Sequence, residues 1–338
     1  MPSVPGDSSL AAAPSSGTVL EVRDLSVEYL LEQGTVMAVD RVSFDLAAGE
    51  FLGIVGESGC GKSTLLFAIA QLLAPPAEIT GGSVVFKGRN MVGLTDKEMT
   101  AVRWKDLSVV MQSAMNALNP VKSIGAQFSD AMRAHGVASK GEIAERSAEV
   151  LKMVGIDPVH LKSYPHQLSG GMRQRSMIAM AMLFTPDLVI MDEPTSALDV
   201  VAQRSLMVQI KELQERLDFA IIFVTHDMSL VRHFSDRLIV MYAGVIAEFG
   251  PTGQVFDSPQ HPYSIGLMEA FPSIRGPRVP LTGIPGSPPN LARIPPGCRF
   301  APRCPKVMAR CEVEPPGLYQ VDGTLVRCFL HDEQGPQP

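Results

Sequence analysis

The chain has 338 residues, which is too long for one small core and predicts about two domains. Hydrophobic residues make up 46% of the sequence and charged residues 19%, as in an ordinary globular protein with ample apolar material for a core. The net charge of −6 provides no strongly basic field, so sequence-independent binding to nucleic acid is not favoured.

The first 17 residues are rich in Ser, Ala and Pro and lack both a basic start and a long apolar stretch. This composition predicts a disordered tail over residues 1–17 rather than a signal peptide. Apolar stretches elsewhere fall short of the roughly 18 residues that a transmembrane helix needs. We therefore expect a peripheral protein on the cytoplasmic side of the cell membrane, with any membrane association made through a partner.

Alternating apolar and polar residues predict an N-terminal strand over residues 19–29. Further along the chain strands alternate with helices, which favours an α/β domain with a mostly parallel sheet and an antiparallel N-terminal part. The other predicted strands cover residues 36–39, 42–46, 51–55, 83–86, 188–191, 220–225, 238–241 and 245–249. The predicted helices cover residues 64–70, 124–135, 142–154, 172–184, 203–217 and 228–234.

Shifts in composition predict the domain organisation. Residues 18–271 form the predicted α/β domain, and within it residues 95–185 have a helical period that predicts an inserted helical subdomain. From residue 272 onward Pro and Gly rise sharply. We therefore expect a small C-terminal extension over residues 272–338, which begins with a loop-rich arm as far as residue 296.

The most informative pattern is G-x-x-x-x-G-K-S, placed between a predicted strand and a predicted helix. Glycines let successive backbone N–H groups point at phosphate oxygens, and the following helix adds the positive end of its dipole. Lys62 can reach the β- and γ-phosphates, and the Ser63 hydroxyl can hold Mg²⁺. The predicted phosphate-binding residues are Gly56, Glu57, Ser58, Gly59, Cys60, Gly61, Lys62, Ser63 and Thr64.

Two further patterns suggest catalysis and a second phosphate contact. An apolar strand ends in Asp192 and Glu193, which predicts that Asp192 holds Mg²⁺ and that Glu193 polarises the attacking water as a general base. Ser169 can cap the predicted helix that follows it, and Gly170 and Gly171 would let a phosphate approach the start of that helix.

Together these motifs resemble those of the nucleotide-binding subunit of an ATP-binding-cassette (ABC) protein. The signature L-S-G-G-x-x-Q, which ends at Gln174, lies between a phosphate loop and a strand ending in Asp-Glu, and the match covers residues 19–250. The resemblance implies that Tyr29 stacks on adenine and that Gln112 senses Mg²⁺ and the attacking water. It also implies that His226 contacts the γ-phosphate and that Asp199, in the loop 196–199, lies at a dimer interface.

The resemblance implies two such subunits facing head to tail, with the phosphate loop of one and Ser169–Gly171 of the other enclosing each ATP. Closure around ATP would drive a transporter, and hydrolysis would reset it. Three stretches are similar to the oligopeptide/dipeptide importers: Leu118-Asn119-Pro120, His261-Pro262-Tyr263-Ser264 and the run from P-G-S-P-P at residues 285–289 to residue 305. That branch, which imports peptides, nickel or oligosaccharides, implies two integral membrane permease subunits and an extracellular or periplasmic solute-binding protein.

Four of the five cysteines crowd into the extension with the spacing C-x5-C-x6-C-x16-C: Cys298, Cys304, Cys311 and Cys328. Four thiolates can satisfy either a 4Fe–4S cluster or tetrahedral zinc. Resemblance to the importer branch, some members of which carry a cluster here, favours iron–sulfur. Zinc and free thiols or disulfides are the alternatives.

Two other functions compete with an importer ATPase. One is a soluble ABC-type ATPase that acts on DNA or ribosomes, but such proteins usually carry long coiled-coil inserts or two fused cassettes. This chain has one cassette, no heptad run and no basic stripe. The other is a redox- or metal-sensing regulator in which the cysteine segment is the sensor and the cassette is a switch.

Overall fold

The computed structural model describes residues 17–32, 34–112, 117–196, 198–270 and 283–332. Three sets of residues with predictions lie outside this part: residues 1–16 of the tail predicted over 1–17, residue 197 of the predicted interface loop, and residues 272–282 of the Pro/Gly-rich arm. The strands are β1 Thr18–Leu31, β2 Gly34–Ala47, β3 Phe51–Val55, β4 Ala77–Phe86, β5 Arg89–Asn90, β6 Leu107–Val110, β7 Leu188–Asp192, β8 Ala220–Val224, β9 Arg237–Tyr242, β10 Val245–Pro251, β11 Tyr319–Val321 and β12 Thr324–Val326. The helices are α1 Lys62–Ile69, α2 Asp96–Val102, α3 Ile124–Ala134, α4 Lys140–Met153, α5 Gly170–Ala181, α6 Val200–Leu217, α7 Met228–Phe234, α8 Thr252–Asp257, α9 Pro262–Glu269 and α10 Ala309–Val313.

The main sheet has the strand order β11-β12-β10-β9-β3-β8-β7-β6. The pairs from β9 through β3, β8 and β7 to β6 are parallel, and those from β9 to β11 are antiparallel. Every residue of β3, β7 and β8 is buried, which suits parallel strands covered on both faces. A smaller antiparallel sheet has the order β2-β1-β4-β5 and confirms the predicted N-terminal part.

The core lies on both faces of the main sheet, and β3 shows how the sequence divides it. Because successive side chains of a strand point to opposite faces, Phe51 and Val55 join one apolar cluster while Leu52 and Ile54 join the other. The first cluster packs against α3–α7 and α9, and the second packs against α1 and the smaller sheet. The phosphate-loop strand is thus fixed from both sides.

The helical pattern over residues 95–185 does not predict β6, which is an edge strand of the main sheet paired in parallel with β7. A four-residue apolar run cannot be distinguished from a helix segment by periodicity alone. The two amphipathic helices do form where they were predicted, as α3 and α4. Ser123 and Ser139 cap them, each accepting a backbone N–H from the first turn.

The C-terminal extension is joined to the main sheet, which the sequence did not predict. Strand β12 pairs with β10, placing Val326 opposite Glu248, and β11 pairs with β12. The turn between β11 and β12 is Asp322-Gly323, and both residues have positive φ. An Asp-Gly pair between short apolar runs is a hairpin signal that could have revealed these strands. In the described ranges, no helix has the length and apolar character needed to cross a bilayer.

Candidate nucleotide-binding and hydrolysis site

The phosphate loop connects β3 to α1, as predicted. Gly56 and Gly61 have φ angles of +150° and +103°, which glycine adopts without steric strain. A Cβ atom at Gly61 would overlap the carbonyl oxygen of Ala38, so a larger residue would push the loop out of place. The loop therefore curls back over the start of α1, where backbone N–H groups can face a phosphate.

Lys62 is the first residue of α1, and its ammonium group turns back over the loop. Its Nζ donates to the carbonyl oxygens of Gly56 at 2.7 Å and Glu57 at 2.9 Å. These acceptors are neutral, whereas the β- and γ-phosphates of ATP are anionic and make stronger, charge-assisted hydrogen bonds. The ammonium group is thus already held at the loop that a triphosphate would occupy.

Asp192 ends β7 beside the start of α1. Its carboxylate is buried and hydrogen-bonded to the Ser63 side chain, while Oδ1 has no hydrogen-bond partner among the described residues. Burial raises the pKa of Asp192, and the charge of Glu193 raises it further. An unpartnered carboxylate oxygen beside a hydroxyl is the hard oxygen donor set that Mg²⁺ takes, so Ser63 and Asp192 fit this ion.

The three predicted catalytic residues meet at the carboxylate of Glu193. Gln112 Nε2 donates to Oε2 at 2.9 Å, and His226 Nδ1 lies 3.5 Å from Oε1. Glu193 has a φ of +47°, an uncommon conformation for a residue with a Cβ, and its N–H donates to the Val224 carbonyl at 2.9 Å. The ends of β7 and β8 therefore aim the carboxylate between two polar side chains, where it can accept a proton from water.

Tyr29 lies near the end of β1, next to the phosphate loop. Its hydroxyl is 3.1 Å from the Thr64 hydroxyl on α1. The tyrosine is thus next to the first turn of α1, which follows the phosphate loop. Stacking on adenine stays a prediction.

The signature residues lie apart from the phosphate loop within one chain. Ser169 caps α5 by accepting the Met172 N–H at 3.3 Å, and Asp199 caps α6 in the same way. Gln174 is buried and donates to the Pro194 carbonyl in the loop after Glu193. Within the described ranges, no hydrogen bond joins Ser169–Gly171 to residues 56–64. Their contact with ATP across a dimer, and the binding roles of Gln174 and Asp199, stay predictions.

Comparisons with known proteins agree with this geometry. A family model described as ABC transporter matches residues 39–196, and one described as oligopeptide/dipeptide transporter, C-terminal region, matches residues 247–311. A dipeptide transport ATP-binding protein of Bacillus subtilis is 45% identical over 320 residues, spanning 94% of this chain and 96% of the relative. The chain belongs to the ABC transporter ATP-binding family. An oligopeptide transport ATP-binding protein of Salmonella typhimurium is 44% identical, spanning 96% of this chain and 97% of that protein.

Solved structures confirm the predicted ABC cassette fold. The dimeric ATP-binding cassette MJ0796 in a post-hydrolysis state with ADP and Pi has a TM-score of 0.62 and 29% identity, covering 69% of this chain and 98% of that chain. The ABC transporter component cbiO1 of Clostridium perfringens has a TM-score of 0.63 and 28% identity, covering 72% and 92%.

In this ABC protein the four cysteines of the extension converge on one small cavity, although they span 31 residues of sequence from Cys298 to Cys328. All four are free thiols. Burial, together with the three neighbouring cysteines, raises the pKa of Cys328 to about 11. Among the described residues, however, no group of three or more His, Cys, Asp or Glu side chains is arranged to hold a metal ion. The predicted 4Fe–4S cluster, and zinc as its alternative, therefore stay predictions.

The H-P-Y-S stretch begins α9, with His261 as its cap and Pro262 as its first residue. The Tyr263 N–H donates to His261 Nδ1 at 3.0 Å, so Nδ1 must be unprotonated. Beneath it the buried carboxylate of Glu248 accepts the N–H groups of Gln260 and His261, each at 2.9 Å. Complete burial lowers the pKa of His261 from 6.5 to about 3.

We expect acid to destabilise the fold through His261. Unfolded, the ring binds a proton near pH 6.5, whereas folded it stays neutral until about pH 3, so its contribution to stability is lost as pH falls through this window. His261→Asn keeps a capping oxygen and should make the unfolding free energy about 1.4 kcal/mol per pH unit less dependent on pH between 6.5 and 4.5. Urea unfolding measures this slope. The exposed His233→Asn should leave it unchanged; equal slopes in all three proteins would contradict the expectation.

The sequence did not predict contacts between the C-terminal region and the phosphate loop. Tyr263 Oη accepts the Glu57 N–H at 2.9 Å, and Arg303 pairs with the Glu57 carboxylate at 2.7 Å. No local sequence pattern could have predicted either contact, because the partners are 206 and 246 residues apart in the chain.

Proposed function

We propose that this chain is the ATP-binding and ATP-hydrolysing subunit of an ABC importer for oligopeptides or dipeptides. The observation that carries the proposal is the placement of Glu193 between Gln112 and His226, beside Asp192 and the phosphate loop. The importer branch is supported by the match of residues 247–311 to the oligopeptide/dipeptide C-terminal region and by the names of the relatives.

In the proposed reaction the phosphate loop and Lys62 bind the β- and γ-phosphates. Mg²⁺ bound at Ser63 and Asp192, with Gln112 nearby, would neutralise charge that develops on the phosphate oxygens. The Glu193 carboxylate accepts a proton from water as the water oxygen attacks the γ-phosphorus, and the bond to the ADP oxygen breaks. His226 orients the Glu193 carboxylate and lies on the side where the γ-phosphate would be.

Two subunits complete each site in this proposal. Ser169 caps α5, and Gly170 and Gly171 are its first two residues. This helix start makes no hydrogen bond to residues 56–64 of its own chain among the described residues, so in the proposal it is available to a partner's ATP. The dimeric relative MJ0796 supports this arrangement. Two integral membrane permease subunits and an extracellular or periplasmic solute-binding protein would complete the importer, with this subunit peripheral at the cytoplasmic face.

Co-purification from membranes tests the proposal. A tagged full-length chain, extracted in mild detergent, should bring down integral membrane subunits, and the purified complex should hydrolyse ATP faster when a peptide-loaded binding protein is added. Recovery of the chain with DNA or ribosomes, and without membrane subunits, would instead favour the soluble ATPase. If membrane subunits are recovered but the ATPase rate of the complex does not respond to peptide, the transporter role would stand and the proposal of a peptide substrate would be wrong.

We also infer that the four cysteines of the extension are a 4Fe–4S site. The support is their convergence on one cavity, although the described arrangement does not itself meet the requirements of a metal site. Protein purified without oxygen should absorb broadly near about 400 nm through sulfur-to-iron charge transfer. Cys304→Ser should lose that band, whereas Cys60→Ser, outside the extension, should retain it. Colourless wild-type protein that contains zinc would overturn the inference.

A further inference from the structure

Glu57 lies inside the phosphate loop, yet its carboxylate is paired with the C-terminal extension. Arg303 Nη1 donates to Oε2 at 2.7 Å and Nη2 donates to Oε1 at 3.0 Å. This is a two-pronged guanidinium–carboxylate pair, which fixes orientation as well as distance. The Arg303 side chain is only 5% exposed, so solvent screens the pair far less than it would at the surface.

Arg303 is itself held in one position by the extension. Nε donates to the Pro285 carbonyl at 2.8 Å, and the terminal nitrogens also reach the Ile284 carbonyl and the Tyr242 hydroxyl, each at 3.3 Å. Its backbone belongs to the short 3-10 segment Ala301–Arg303, between Cys298 and Cys304. An arginine with this many fixed partners cannot follow Glu57 if the loop moves, so it acts as a rigid anchor.

A second contact holds the backbone of the same loop residue. Tyr263 Oη accepts the Glu57 N–H at 2.9 Å, and the Tyr263 ring packs on Tyr242 with centroids 4.5 Å apart. Tyr242 packs in turn on Phe300, at 5.2 Å. The stretches H-P-Y-S and C-R-F-A-P-R-C, which the nucleotide site leaves unexplained, thus meet at one residue of the phosphate loop, and P-G-S-P-P is joined to it through Arg303.

This anchoring bears on nucleotide affinity. The loop contains three glycines with positive φ, Gly56, Gly59 and Gly61, so ordering it around phosphate carries a large entropic penalty. A loop that is already ordered before ATP arrives binds phosphate more tightly, because the entropy of ordering the loop is then not lost during binding. Lys62 donates to the Glu57 carbonyl, so the residue that Arg303 holds also positions the ammonium group that meets phosphate.

We propose that Arg303 is a positioning residue for nucleotide binding, through which the C-terminal extension sets the affinity of the phosphate loop for MgATP. The proposal rests on ATP binding at this loop, as proposed above, and not on the transported solute. It predicts that damage to the extension at Arg303 weakens ATP binding through Glu57.

The direct test is the Kd of a fluorescent ATP analogue with Mg²⁺, measured on the full-length chain. Arg303→Ala should raise Kd about tenfold, equivalent to about 1.4 kcal/mol. Arg303→Lys, which keeps the charge but loses the fork, should recover part of the loss. The matched control is Arg299→Ala: Arg299 is also buried in the extension and tied to the cassette at Asp40 and Ala243, outside the phosphate loop. Its Kd should equal that of the wild type.

A double-mutant cycle separates positioning from general destabilisation. Glu57→Gln and Arg303→Ala break the same pair, so the double variant should bind ATP no more weakly than the poorer single variant. Additive losses, or equal losses in Arg303→Ala and Arg299→Ala, would overturn the proposal. If Arg303→Ala does not fold, Tyr263→Phe, which removes only the second contact with Glu57, must raise Kd instead. Wild-type protein that binds no ATP would defeat the proposed function itself.

Reciprocity supplies an independent measurement. If the extension favours ATP binding, ATP must stabilise the extension by the same free energy. MgATP should therefore slow amide hydrogen exchange in residues 301–304 of the wild type, and this slowing should be lost in Glu57→Gln. Residues 319–326, whose strands contact the sheet and not the phosphate loop, serve as the internal reference. Protection of both segments to the same degree would argue against a path through Arg303.

Discussion

Glu193→Gln is expected to lower the rate of ATP hydrolysis by about 100- to 10,000-fold, the usual contribution of a general base, while leaving the affinity for MgATP near that of the wild type. The substitution preserves size and an oxygen that can accept the Gln112 N–H, so the local geometry survives. The amide cannot accept a proton from the attacking water. Lys62, Ser63 and the loop N–H groups, which are predicted to bind the phosphates, are untouched.

Steady-state hydrolysis and nucleotide binding, measured on the same preparation, check this expectation. Glu215→Gln is the matched control, because it makes the same chemical change at an exposed position of α6 whose only described ion pair is with Lys211. Its turnover should equal that of the wild type. A Glu193→Gln protein with unimpaired turnover would show that another group activates the water. Loss of binding in parallel with turnover would show that Glu193 supports the nucleotide rather than the chemistry.

The sequence predicted those parts of the site whose chemistry is written in consecutive residues. The phosphate loop needs glycines, a lysine and a hydroxyl at fixed spacing, and it lies between β3 and α1 as expected. The adjacent carboxylates at the end of β7 could also be predicted from the sequence, because a buried apolar strand that ends in two acidic residues is typical of a metal-binding or catalytic site. In these cases local pattern and global fold agree.

The backbone conformation of Glu193 could not be predicted from the sequence. Its backbone is left-handed, and its contacts with Gln112 and His226 arise where the three parallel strands β6, β7 and β8 end side by side. These partners are 81 and 33 residues away in the chain. The anchor between Arg303 and Glu57 was missed for the same reason. Contacts of this kind depend on tertiary packing, and no local propensity encodes which charged residue will face which.

The strands of the C-terminal extension could not be predicted from the sequence for a different reason. Its strands β11 and β12 have three residues each, too few to display an alternating pattern, and the Pro/Gly-rich sequence before them suggested a structureless arm. They form because β10 already offers an edge with unpaired backbone groups, so the sheet supplies the order that the segment lacks. Edge pairing, together with the anchors at Glu57 and Asp40, attaches the extension to the cassette.

Lys62→Ala is expected to weaken MgATP binding by about 10- to 100-fold, which corresponds to the 1.5–3 kcal/mol typical of hydrogen bonds to charged groups. Lys62 Nζ donates to the carbonyls of Gly56 and Glu57, so its removal deletes the cation predicted to face the β- and γ-phosphates and also loosens the loop. Both effects act on binding, whereas Glu193→Gln acts on the chemical step.

The two variants therefore make a pair with opposite signatures. Titration of a fluorescent ATP analogue should show a raised Kd for Lys62→Ala, and turnover at saturating ATP should fall less steeply than for Glu193→Gln. Lys87→Ala is the matched control: its ammonium pairs with Asp187 at 2.8 Å, outside the phosphate loop, and its loss should leave Kd unchanged. A wild-type Kd in Lys62→Ala would mean that the backbone N–H groups alone bind the triphosphate, and the lysine would then act only on the chemical step, where charge builds up on the departing phosphate.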